Sequence, residues 1–262
     1  MGCNCYKMIT DQRDADNWQN TIVSFEPEHR LRDLCISEPD QPNTQEVAVQ
    51  QQKFKIRLAT NEDRRDSASL LIEKMYSWRG YATGATSNGE PNRVTLVASA
   101  NEHILATLTL GYDSPMGLMV DDMYKTEVDS LRNAGRVVCE LTKLAVDQNV
   151  RSKDVLASLF HIAYIYGKKI HNGTDFVIEV NPRHALFYRK MLGFEDFGEE
   201  KTCPRVNAPA ILLRLDLDHA TRKIAELGGK KNLAKGEKSY YPYFFTPEDE
   251  LGITKRLRRE LP

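Results

Sequence analysis

Residues 53–60, KFKIRLAT, alternate polar and apolar side chains, the period of a half-buried strand. The period then becomes helical. Ala68, Leu71, Ile72 and Met75 fall on one face, Thr60 and Asp63 stand where a capping pair would sit, and the helix is expected to end near Gly80. After a Gly/Ser/Asn loop, RVTLVASA (93–100) and HILATLTLGY (103–112) predict a hairpin turning at Asn101–Glu102. A helix is expected over 121–134, a strand with a polar interruption over 136–147 (RVVCELTKLAVD), and a long helix over roughly 152–170 capped by Ser152. DFVIEV (175–180) predicts a buried strand. NPRHALFYRKMLGF (181–194) turns on Asn-Pro into a short amphipathic helix carrying an exposed tyrosine, and APAILLRLDL (208–217) is the last strand. Residues 218–262 read as helical segments joined by KGEKSYYPYFF. Strands that alternate with helices after a hairpin imply a mixed α/β sheet.

The first 52 residues offer little for a core. They are rich in Asp, Asn, Gln and Glu and are expected to be poorly ordered, with Trp18 and TIVSF (21–25) docking elsewhere. The chain of 262 residues is 41% hydrophobic, enough for a sizeable core. No apolar run approaches the ~18 residues of a membrane span, and no secretory signal opens the chain. A net charge of -1 argues against a generally basic nucleic-acid binder. Charge is uneven: residues 1–52 lean acidic and 221–262 basic, so the basic end is either a surface for an acidic partner or a solvated helix face. The 5 cysteines are odd in number and irregularly spaced, which points to a reduced cytoplasmic protein without disulfides or structural zinc. The Met-Gly-Cys start suggests acylation, but Tyr6 occupies the position where myristoylation requires Ser or Thr.

The element order and the 181–194 stretch resemble the GNAT acyltransferases, whose strand–turn–helix motif is matched by Asn181, Ala185, Phe187, Tyr188, Gly193 and Phe194. The resemblance implies a GNAT-like mixed, mostly antiparallel central sheet flanked by helices. It also implies a gap between two strands that admits an acyl–pantetheine arm, with the Tyr188 hydroxyl protonating a departing thiolate. Alternatively, Tyr188 only packs on the sheet. CELTKLAVD is closer still to autoinducer synthases and their relatives, the long-chain N-acyl amino acid synthases. Glu140, Thr142 and Lys143 match their Glu-x-Ser/Thr-Arg/Lys segment, and Tyr76, Gly80 and Tyr81 in YSWRGY match a second one upstream. The whole run looks more like the N-acyl amino acid synthases. The likeness covers about 53–216, leaving 1–52 as an N-terminal segment and 217–262 as a helical, basic C-terminal extension.

What this implies chemically is transfer of a long-chain acyl group to the amine of an amino acid. Glu140 would take the amine proton, directly or through water, unless it is a salt-bridge partner of Lys143 or an arginine. Backbone N–H groups from Leu144 to Val146, with Asn181, would bind the pantetheine. Tyr76, Trp78, Arg79, Tyr81 and Thr142 would border the acceptor and acyl pocket, with Arg79 either clamping a substrate carboxylate or solvated. Ordinary GNAT enzymes hold the coenzyme A pyrophosphate in a small-residue loop; the aligned residues here are Arg151-Ser-Lys-Asp-Val-Leu156. Asp154 and Leu156 are expected to repel a pyrophosphate, whereas Arg151, Ser152 and Lys153 at a helix start suit a single phosphate. The expected co-substrate is therefore the acyl-phosphopantetheine of acyl carrier protein, with no bound cofactor and no metal. Arg151, Lys153, Lys168 and Lys169, extended by KRLRR (255–259), would dock that acidic partner, and the lipid product offers a route to peripheral membrane contact. His103, His161 and His184 read as structural or surface residues. The competing readings are an acyl-homoserine-lactone synthase, a coenzyme A-dependent GNAT enzyme, and a silent acyl-ligand or carrier-protein-binding module.

Overall fold

A computed structural model of the chain describes residues 21–25, 54–59, 62–77, 92–100, 103–147, 150 and 152–260. Trp18, Thr60, Trp78, Arg79, Gly80, Tyr81, the Asn101–Glu102 turn and Arg151 lie outside them. The strands are β1 (Thr21–Phe25), β2 (Phe54–Leu58), β3 (Arg93–Ala100), β4 (His103–Tyr112), β5 (Val138–Val146), β6 (Asp175–Val180), β7 (Glu195–Asp196), β8 (Lys201–Cys203) and β9 (Ala208–Asp216). The helices are α1 (Glu62–Ser77), α2 (Asp121–Asn133), α3 (Lys153–Tyr164), α4 (Pro182–Leu192), α5 (Leu217–Leu227) and α6 (Pro247–Glu260). None of them is long and apolar enough to cross a membrane.

The strands form one sheet in the order β1-β2-β3-β4-β5-β6-β9-β7, with β8 also on β9. Every pairing is antiparallel except β5 with β6. TIVSF, expected to dock, does so as β1 on β2. The short strands β7 and β8 were not anticipated, because two or three residues carry no readable period.

Strand alternation sorts side chains onto two faces. Cys139, Leu141, Phe176, Ile178, Leu213 and Leu215 join α3, α4, α5 and the C-terminal segment in the main core. Val138, Val177 and Leu212 pack instead under α2 with Tyr124, Val128 and Leu131. The expected helical stripe is present in α1, where Leu71, Ile72 and Met75 pack on Ala145 of β5. The long helix predicted over 152–170 becomes a π-helical turn at Ile165–Ile170. There Gly167 runs so close to Phe176 that a Cβ would lie 2.5 Å from its ring.

The C-terminal segment is pinned to α3 by His161, which is fully buried. Its Nδ1 accepts the Phe245 N–H at 2.9 Å, so the Nε2–H faces the Glu250 carboxylate, also at 2.9 Å. The ring stacks between Phe244 and Phe245, with centroids at 4.8 and 5.1 Å. His161→Phe keeps the stacking but leaves the buried Phe245 N–H unmatched and Glu250 with Lys169 alone. It is expected to cost about 2–3 kcal/mol, read as a lower Tm by calorimetry.

Candidate active site

The site begins where β5 and β6 part. Their register runs Val138↔Asp175, Cys139↔Phe176 and Glu140↔Val177, and then stops. Beyond it β5 continues on β4 as far as Ala106↔Val146, and β6 continues on β9 as far as Val180↔Ile211. A wedge therefore opens between Leu141–Val146 and Ile178–Val180, and no strand bridges it. The sequence enforces the opening on both sides. On β5, Lys143 takes φ +52°, and the register with β4 shifts between Thr107↔Ala145 and Thr109↔Thr142. This is a β-bulge, which bends and twists its strand, and Thr107 Oγ1 fastens it by donating to the Lys143 carbonyl at 2.9 Å. On β6, Asn181 ends the strand and caps α4, its Oδ1 accepting the Arg183 N–H, with Pro182 at the first helical position. Gly193 closes α4 at φ +80°. Only glycine takes that conformation without strain, and a Cβ there would also lie 3.0 Å from His219.

Glu140 stands at the apex of the wedge and is 1% exposed. Among the described residues, the Met119 N–H at 2.9 Å is the hydrogen bond its carboxylate receives. The salt-bridge alternative does not arise: Lys143 is carried off in the bulge, and no cation of the described residues lies within ion-pair distance. Burial pushes the carboxyl up to about 7. The Met119 N–H, Arg93 and Arg205 oppose that rise, and Glu179 adds to it. Arg205 is held by Glu179 at 2.5 Å and Asp122 at 2.6 Å, and it donates to the Met119 carbonyl at 3.1 Å. The loop carrying Met119 is tied down by Asn92, whose Nδ2 donates to Tyr112 O, Ser114 Oγ and Gly117 O. Arg132, paired with both Asp113 and Asp121, fixes the two ends of that loop. None of these partners has a local sequence signal, because they come from loops and strands far along the chain.

Other predicted residues fall around the wedge. Thr142 follows on β5, and its buried hydroxyl has no hydrogen-bond partner among the described residues. Leu144 and Val146 lie on β5 past the parting, and Tyr76 packs at the end of α1 by Ala145. Tyr188 corrects an expectation: it is 9% exposed rather than surface-borne. Its ring meets Phe187, Phe194 and Phe160 edge-on at 5.1, 5.8 and 6.4 Å. The residue faces the core because i, i+3 and i+7 spacing from Ala185 to Leu192 forms the inner stripe of α4.

The start of α3 also differs from expectation. Ser152 holds the N-cap position but makes no side-chain cap bond, and its hydroxyl is buried without a partner among the described residues. Asp154 does not project as a bare charge: it is buried against Lys231 at 2.8 Å. Leu156 points into the core. Neither side chain stands over the helix start as the expected obstacle to a pyrophosphate. Lys153 lies 5.2 Å over the Tyr243 ring. Lys168 pairs with Asp218 at 2.7 Å and Lys169 with Glu250 at 3.0 Å.

Comparison with known proteins agrees with this geometry. The family described as N-acyl amino acid synthase FeeM matches residues 67–216. No curated protein sequence matches the chain. The solved structure of FeeM, an N-acyl amino acid synthase from uncultured soil microbes, is similar at a TM-score of 0.59 and 28% identity, covering 63% of this chain and 92% of that one. An N-acetyltransferase from Staphylococcus aureus Mu50 has a TM-score of 0.45 and 16% identity, covering 63% and 98% of the two chains. The AHL synthase LasI has a TM-score of 0.46 and 11% identity, covering 63% and 90%. The fold is GNAT-like and the chain is an acyltransferase.

Proposed function

Because this chain belongs to the FeeM family of N-acyl amino acid synthases, we propose that it moves a long-chain fatty acyl group from acyl carrier protein to the α-amine of an amino acid. The observation that carries this reading is Glu140, a buried carboxyl at the apex of a wedge where β5 and β6 stop pairing. An acyl–pantetheine arm is a chain of amides and methylenes. Lying in the wedge, it would find backbone partners on the β6-facing edge of Leu141–Val146, the other edge being paired with β4.

Attack on the thioester requires a neutral amine. A carboxyl poised near 7 is half ionised at neutral pH and takes the ammonium proton with little loss of driving force. The Met119 N–H keeps the carboxylate aimed while the proton arrives. As the tetrahedral intermediate collapses, Tyr188 supplies a proton to the leaving thiolate. A silent binding module would gain nothing from burying an unpaired carboxyl, which is costly to keep. The free, buried thiols of Cys139 and Cys203 suit a reduced, cytoplasmic setting.

For the donor, the support is the α3 start. The Ser152 hydroxyl, the first-turn N–H groups and Lys153, with Arg151 next to Ser152 in the sequence, would suit one phosphate, as on a phosphopantetheine arm. Purified protein is expected to use palmitoyl acyl carrier protein far better than palmitoyl coenzyme A. Steady-state rates with the two matched donors, with the product identified by mass spectrometry, decide the point. Equal efficiency would remove carrier-protein dependence, and absence of any N-acyl amino acid with either donor would remove the function.

A further inference from the structure

A second carboxylate shares the sheet face of Glu140. The β6 partner of Glu140 is Val177, and Glu179 stands two residues further along β6, where alternation returns it to the same face. Glu179 is largely buried, and Arg205, in the turn between β8 and β9, answers its charge: Nη2 donates to Glu179 Oε2 at 2.5 Å. Nη1 of the same guanidinium donates to Asp122 Oδ2 at 2.6 Å and to the Met119 carbonyl at 3.1 Å. Met119 is thus gripped at both ends, its N–H by Glu140 and its C=O by Arg205. Among the described residues, the remaining charges near Glu140 come from two other elements. Arg93 of β3 runs its stem past Gly111, the β4 residue opposite Glu140. From α2, Asp121 is taken up by Arg132 and the Leu118 N–H, and Asp122 by Arg205 itself.

We propose that Arg205 is a positioning residue for acyl transfer: by neutralising Glu179 and holding the Met119 loop, it keeps the Glu140 carboxylate aimed and able to ionise at a buried site. The kinetic consequence rests on the reading of Glu140 as the base. Loss of Arg205 acts on Glu140 in three ways, all of one sign. It removes a positive charge that favours the carboxylate, it leaves Glu179 uncompensated, and it frees the residue whose N–H the carboxylate accepts. Each change makes the Glu140 proton harder to lose. Loss of Glu179 alone has the opposite sign, because a like charge is removed while Arg205 stays. A purely structural clamp predicts neither direction.

Arg205→Gln is expected to move the rising limb of the kcat/KM profile up by about one pH unit, and Glu179→Gln to move it down. For Arg205→Gln this is a loss of about fivefold at pH 7 that shrinks toward wild type by pH 9. Arg205→Lys keeps the charge and should restore most of the limb, and Glu179→Gln added to Arg205→Gln should bring it part of the way back. A second readout needs no substrate. Carbon-13 NMR of the full chain labelled at glutamate follows the Glu140 carboxyl, identified by its absence from Glu140→Gln. Opposite shifts of that titration in Arg205→Gln and Glu179→Gln support the positioning role whether or not transfer occurs. Shifted titrations without acyl transfer by any form of the protein would overturn the proposed function and leave the role of Arg205 standing. An unmoved titration in folded Arg205→Gln, with activity lowered by one factor at every pH, would overturn the positioning role and leave the function standing. Should Arg205→Gln fail to fold, Glu179→Gln decides: a downward shift supports the role, and an unmoved titration overturns it.

Discussion

Glu140→Gln is expected to lower kcat/KM for acyl transfer by roughly 10²- to 10⁴-fold, while leaving the protein folded and more stable than wild type above pH 7. The amide has the volume of the carboxyl, and its oxygen still accepts the Met119 N–H, so the wedge keeps its shape. What it loses is the capacity to take a proton. The stability gain follows from linkage. The folded-state value near 7 lies above the 4.5 of an ordinary glutamate carboxyl. Below 4.5 both states hold the proton, and the group's contribution is fully present. As pH rises through 7 that contribution is lost, about 3 kcal/mol in all. Gln carries no such penalty. The expected pattern is therefore a rising limb near pH 7 in the wild-type kcat/KM profile, missing from the residual activity of the variant. Melting curves of the two proteins should separate at pH 8 and converge at pH 4. Near wild-type turnover across pH 6–9 would remove Glu140 from the chemistry. Lost activity with equal melting at both pH values would contradict the buried, unpaired carboxyl.

Asp175→Ala is expected to cost about 3–5 kcal/mol of stability, a drop of roughly 10 °C in Tm. Asp175 opens β6 and is fully buried. Arg136 reaches it at 2.6 and 3.0 Å, Arg214 at 2.6 and 2.7 Å, and the Thr174 hydroxyl at 2.6 Å. Burial by itself would raise its proton affinity, but the bonds from Arg136, Thr174 and Arg214 outweigh it and hold the carboxyl below its usual value. The sign is thus opposite to that of Glu140. This contribution is present above the unfolded pKa and is lost as pH falls through the folded one. The cluster ties β5, β6 and β9 together at the end away from the wedge, across Val138↔Asp175↔Asp216. Removing the carboxylate leaves Arg136 and Arg214 with Asp216 as their shared carboxylate, at one end of the short stretch where β5 and β6 pair. Urea titration near pH 7 measures the loss. An unchanged midpoint would mean the cluster is dispensable.

Much of this was readable beforehand, for particular reasons. DFVIEV and HILATLTLGY are long enough for period 2 to stand out, and both strands lie where alternation puts them. Asn181-Pro182 and Gly193 mark the ends of α4 because capping chemistry is local. Glu140 could be singled out because CELTKLAVD resembles the Glu-x-Ser/Thr-Arg/Lys segment of the family. What stayed hidden is set by distance along the chain. The Met119 N–H lies 21 residues from Glu140, and the Arg205–Glu179 pair spans 26. Asp154 read as an obstacle to phosphate because its partner, Lys231, sits on a segment whose docking no local pattern reveals. Tyr188 read as exposed although its spacing from Ala185 and Leu192 marks an inward stripe; of its ring neighbours only Phe160 lies far along the chain.

The far end of the sheet has a consequence for self-association. A long bare strand there would be a template for a second copy of the chain. Instead β7 contributes two residues, Glu195 and Asp196, both exposed. Two chains aligned through this border would bring their carboxylates into apposition across a ladder too short to offset the repulsion. Asp196 is further committed to Arg189 of the same molecule. Intermolecular strand addition is disfavoured at this border, because two charged residues offer a second chain almost no ladder to extend.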